Sequence, residues 1–121
     1  MYNMDAPKNY LLADAEHPLI CTDKVWDELL LYNIAPRRAE ALFADFFELT
    51  DKRLNENYIL KHLSGGQKVI LMALLALHSP ARRICFMNLE RSLDPDKAAR
   101  LQDLIRRSGK EIIWQRVDDH D

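Results

Sequence analysis

Between Gly65 and His78 the chain carries Val69, Ile70, Leu71, Met72, Leu74, Leu75 and Leu77. Wound at 3.6 residues per turn, that series leaves a helix with almost no polar side. Such a helix has to be enclosed by the rest of the fold. Its apolar run is shorter than the roughly 20 residues a bilayer crossing needs, so it predicts a central buried helix and not a membrane span. Ser79-Pro80 ends it, because proline lacks the N–H that would continue the ladder and biases the residue before it away from helical geometry.

The chain of 121 residues, 48% of them hydrophobic and 30% charged, is long enough to bury one core and reads as one domain over residues 1–121. Seventeen basic against nineteen acidic residues give a net charge of −2, which supplies no overall field to draw in nucleic acid or an anionic membrane. The pairs Arg82-Arg83 and Arg106-Arg107 are accordingly read as solvated charges at element ends, and a nucleic-acid partner is not expected. Cys21 and Cys85 form no CxxC motif, and neither His17 with Cys21 nor the acidic end Asp118-Asp119-His120-Asp121 makes a metal site. With reduced thiols and no signal-peptide pattern at Met1 to Pro7, the expected location is the cytoplasm. Cys85, inside an apolar run, is expected to be an inert core residue despite Arg82 and Arg83 nearby.

Pattern places the remaining elements. Tyr10-Leu11-Leu12-Ala13 suits a short strand. Thr22 or Asp23 is positioned to cap a helix with the stripe Val25, Trp26, Leu29 and Leu30, ending near Tyr32-Asn33. Pro36 suits the first turn of a second helix, in which Ala39, Leu42, Phe43, Phe46 and Phe47 recur at three- and four-residue spacing. Residues 50–62 read as a linker anchored by Tyr58, Ile59 and Leu60. After the buried helix, Ile84-Cys85-Phe86-Met87 has the continuous apolar character of a strand covered on both faces. Asp94-Pro95 then caps a helix with the face Ala98, Leu101, Leu104 and Ile105, Gly109 closes it, and Ile112-Ile113-Trp114 is the next strand. The expected architecture is α/β: a small parallel sheet of about three strands, a helical part over about 22–78, and a strand–helix–strand part over about 83–117.

Ser64-Gly65-Gly66-Gln67 stands at the mouth of the buried helix. The first N–H groups of a helix have no internal partner, glycines let a ligand come close, and Ser64 adds a hydroxyl. This combination favours an anion such as a phosphate. The plainer alternative is that Ser64 caps the helix and the two glycines form a tight turn.

Leu63-Ser64-Gly65-Gly66-Gln67 followed by an Ala/Leu-rich helix resembles the signature motif of the ABC-type ATPase superfamily. The segment Ile84 to Pro95, with Ser92-Leu93-Asp94, resembles that family's strand and D-loop, and Asp23 to Leu30 with the following helix resembles its helical subdomain. The similarity runs from about Tyr10 to Val117. It implies a P-loop NTPase type of fold in which two domains pack head to tail, each signature touching the γ-phosphate of ATP held by the other domain.

Carried over residue by residue, the same resemblance argues against hydrolysis by this chain alone. The magnesium-supporting acid falls on Met87 and the catalytic glutamate on Asn88, and neither side chain suits its task. Glu90 would replace them only if the strand slipped. Asp14 or Ala15 takes the place of the Q-loop glutamine, and the switch histidine falls on Val117, with His120 too far along. No Gly-x-x-x-x-Gly-Lys-Ser/Thr cradle occurs; there are only three glycines.

The implied roles are nucleotide contact in trans by Ser64, Gly65, Gly66 and Gln67, and an interface role for Ser92 and Asp94, with no catalytic or metal-binding residue. No cofactor is expected on the chain alone; ATP with magnesium would sit at a shared interface. The partner is a complete ABC-type ATPase or a second copy. Two other readings stay open: an ATP-binding subunit of a transporter or DNA-associated ATPase, and a structural relic that homo-oligomerises without nucleotide.

Overall fold

In the computed structural model, which describes residues 9–16 and 22–115, helix α3 (Gly65–His78) lies at the centre, with every residue from Val69 to His78 buried. Its coat comes mainly from one helix and two strands. Helix α2 (Pro36–Thr50) packs along it, burying Ala39, Leu42, Phe46 and Leu49. Strands β1 (Leu11–Asp14) and β2 (Arg83–Met87) lie against it from the sheet side. Each large side chain so enclosed contributes about 1.5–3 kcal/mol relative to exposure, which is why this helix organises the fold. At its carboxyl end, His78 Nε2 lies 2.9 Å from Asp45 Oδ2 and Nδ1 lies 3.3 Å from an Arg38 guanidinium nitrogen. Arg38 and Asp45 thus flank the two ring nitrogens of this buried histidine.

The sheet is parallel throughout, in the order β1-β2-β3, with β3 spanning Glu111–Gln115. The fold is therefore α/β with a small three-stranded parallel sheet, as the pattern predicts. Ile84 and Phe86 turn toward the helices and join one core with Ala13, Leu101 and Ile105. Cys85 and Met87 alternate to the opposite face and are buried as well, so the continuous apolar run of β2 is closed on both sides. Among the described residues, no helix is long and apolar enough to cross a membrane.

Helix α4 (Pro95–Arg107) joins β2 to β3. Asp94 caps it, its carboxylate accepting the Lys97 N–H at 2.9 Å; Ala98, Leu101 and Ile105 are buried; and Gly109 leaves it with φ 77°. Helix α1 (Val25–Leu31) departs from expectation in two ways. Its N-cap is the extended Lys24, which bridges Ile59 and makes no side-chain cap. Thr22 lies too far upstream to reach the first-turn N–H groups and instead bonds the buried Glu28 carboxylate through its N–H (2.8 Å) and hydroxyl (2.6 Å). The buried stripe is Val25, Glu28 and Leu29, while Trp26 and Leu30 of the expected stripe are 38% and 56% exposed. The linker expected over 50–62 contains a 3-10 turn, Leu60–His62, with Leu60 buried. Of the phenylalanines expected to pack α2, Phe46 is buried, Phe43 is half-buried, and Phe47 lies under the Arg53 guanidinium at 4.5 Å.

Candidate functional site

Ser64 takes the extended geometry of an N-cap (φ −70°, ψ 169°). Its hydroxyl accepts the Gln67 N–H at 3.1 Å, and the Gln67 side-chain carbonyl accepts the Ser64 N–H at 3.0 Å, a closed capping box. The first ladder bond runs from Lys68 N–H to Ser64 O. The N–H groups of Gly65 and Gly66 therefore have no acceptor within the helix. No acidic residue occupies this first turn, so α3 supplies no counter-charge of its own to the positive end of its dipole.

The plainer alternative holds in its first half, since Ser64 caps the helix; Gly65 and Gly66 are the first two residues of α3 and neither has positive φ, so its tight turn does not describe them. A Cβ at Gly65 would have nothing within 4 Å, and one at Gly66 would make ordinary contact with Leu93 Cδ2 at 3.8 Å. The fold thus requires neither the conformational freedom nor the small size of these glycines.

Ser92 and Asp94 reach the same place by a separate route. After β2, Asn88 adopts left-handed geometry (φ 59°), which asparagine tolerates, and a 3-10 turn, Leu89–Arg91, carries the chain back toward α3. Ser64, Gly66, Gln67, Ser92, Asp94 and Lys97 line one open cleft of about 180 Å³. The structure therefore brings together nearly all the residues singled out in the two motifs. Two helix amino ends meet there, but only that of α4 carries its own counter-charge, the Asp94 carboxylate.

The carboxyl ends of the strands are arranged differently. Met87 and Asn88 are buried. The Asn88 N–H donates to Gln115 O at 3.0 Å, its side-chain amide lies 3.4 Å from Asp14 Oδ1, and its Oδ1 lies 3.5 Å from Arg91. Arg91 in turn pairs with Glu16 at 3.3 Å. Ala15, beside Asp14, donates its N–H to Met87 O. The register pairs Met87 with Asp14 and with Gln115, so the strand has not slipped; Glu90 sits in the turn, facing Gln102 at 3.4 Å. The Asp14, Glu16, Asn88 and Arg91 network had no local signal in the sequence, since Asn88 and Asp14 lie 74 positions apart and Arg91 and Glu16 lie about as far from each other.

Elsewhere, Arg83 pairs with Glu111, and Arg106 and Arg107 with Asp103, all at the surface. Lys110 donates to Ser79 O (2.7 Å) and Ala81 O, and burial together with Arg38 and Arg82 pushes its pKa down. Burial, with Asp14, pushes the Cys85 thiol up, consistent with an unreactive core cysteine. His17, Cys21, Val117 and residues 118–121 lie outside the described residues. No protein family and no curated protein matches the chain.

Proposed function

We propose that this chain is a non-hydrolytic, ABC-ATPase-like subunit whose α3 cleft completes a nucleotide site held by a partner protein in the cytoplasm. The observation that carries this reading is the pair Gly65-Gly66. Neither is required by its surroundings, both N–H groups lack an acceptor in their own helix, and Gly66 lines a cleft shared with Ser92 and Asp94. A terminal phosphate of ATP with magnesium, held on the partner, would accept from Gly65 and Gly66 N–H and from the Ser64 hydroxyl, whose oxygen already accepts from Gln67. The Gln67 amide nitrogen is a further donor, because its oxygen is occupied by the box. Asp94, held as a helix cap, would lie at the border of the two proteins. The chain has no phosphate cradle of its own, so nucleotide enters through the shared interface.

The test is ATP-dependent association of the purified chain with complete ABC-type ATPases encoded near its gene, measured with and without Gly65→Asp. That substitution fits the open space at Gly65 and suits a helix amino end, so the fold is kept while a carboxylate meets the phosphate. Wild-type association that requires ATP and is lost in the variant supports the reading. ATP-independent association, or association equal in both, removes it.

A further inference from the structure

The outer edge of β3 shares no residue with the α3 cleft, and what it can bind follows from backbone geometry. The Glu111 N–H donates to Arg82 O and Gln115 O accepts the Asn88 N–H, both at 3.0 Å. Glu111 and Gln115 therefore turn their backbone groups toward β2, and Ile113 between them does the same in an evenly spaced parallel ladder. The N–H and C=O groups of Ile112 and Trp114 point the other way, where no strand pairs with them among the described residues. An open edge of this kind is a template for another strand. Proteins usually blunt such edges with proline, lysine or a bulge; Glu111–Gln115 contains neither residue, and its register with β2 is unbroken. Trp114 remains 43% exposed although its ring stacks on Phe86 at 5.6 Å.

We propose that a second copy of this chain occupies this edge, with β3 pairing antiparallel to itself across a two-fold axis at Ile113. The register is set by the backbone. With the axis at Ile113, Ile112 stands opposite Trp114 of the second copy and Trp114 opposite its Ile112, so every outward group of these residues meets an outward group in a hydrogen-bonded pair. An axis between residues would set outward groups against inward ones. An axis at Ile112 or Trp114 would carry half the pairing beyond the strand. The side chains agree with this register. Ile112 against Trp114 is a favourable β-branched–aromatic pair, Ile113 meets its own copy, and Glu111 faces the neutral Gln115, so no like charges are opposed within the strand. Glu111 is already held by Arg83 and Tyr10 within its own chain. The two sheets then continue as one, and the pairing requires no nucleotide.

Sedimentation equilibrium of the full chain from micromolar to several hundred micromolar should show a concentration-dependent dimer. Hydrogen exchange on the unmodified protein should show the Ile112 and Trp114 amides protected only where the dimer forms, with the Ile113 amide protected throughout by β2. Ile113→Lys and Ile113→Glu each place like charges together at the axis and should weaken the dimer at least tenfold. An equimolar mixture of the two should restore it as a heterodimer. A chain that stays monomeric over the whole range overturns the proposal, including the case in which some other protein uses this edge. So does a dimer without concentration-linked protection at Ile112 and Trp114, or a dimer that both folded variants retain unchanged.

Discussion

At the amino end of α3, the Gly65 and Gly66 N–H groups have no partner in their own helix, and Gly66 lines an open cleft. At the carboxyl end of β2, Asp14, Asn88, Arg91 and Glu16 are turned toward one another. The first surface is stable as it stands and keeps its donors available. The second has its polar groups engaged within the chain, so an incoming ligand would have to displace existing contacts. The difference teaches that two polar surfaces of one small domain can be left in opposite states, one with donors open and one closed on itself. Under the function proposed above, the open surface would serve a phosphate held by another protein.

The largest expected effect lies beneath the strand ends. Phe86 is fully buried, stacks on Trp114 and walls the cavity there, so Phe86→Ala should cost about 3–5 kcal/mol in urea unfolding. A loss below 1 kcal/mol would show that this region is not the packed structure described. Ser64→Ala opens the capping box and should cost about 1 kcal/mol by the same measurement. Gly65→Ala should do the opposite, raising stability by about 0.5 kcal/mol, because the added methyl meets open space and glycine's flexibility in the unfolded chain is removed. If Gly65→Ala destabilised the isolated protein instead, the glycine would be serving the fold and the contrast between the two regions would fail.

The smallest effect concerns pH. The Tyr10 hydroxyl, and secondarily Arg83, hold the Glu111 carboxyl below its ordinary value. A depressed folded pKa contributes stability that is present above the unfolded value of about 4.3 and is lost as pH falls through the folded pKa. Glu111→Gln should therefore flatten the acid limb of the stability–pH curve slightly and leave stability near neutral pH with little further pH dependence. An acid limb identical to wild type would remove this contribution.

Most of the fold was legible because its decisive signals are local. The all-apolar run of α3, the Asp94-Pro95 cap, the continuous run of β2 and the Gly109 stop each act within a few residues. Helix α1 was less legible because tertiary contacts override its stripe: Thr22 draws the Glu28 carboxylate inward, and Trp26 and Leu30 are left outside. The meeting of Ser64 and Gly66 with Ser92 and Asp94 was not legible, since no local rule joins segments so far apart. The helix start at Gly65-Gly66 was legible, and α3 begins at Gly65 with Ser64 as its cap. Whether the glycines also form a tight turn was open in the sequence, and only the backbone answers that.

The central claim is that the chain presents half of a nucleotide site and cannot hold ATP alone. Isothermal titration of the isolated protein with ATP and magnesium tests it most directly. The account predicts no saturable binding into the millimolar range. Micromolar binding at one nucleotide per chain would contradict it, because it would require a phosphate cradle that the residues described here do not form.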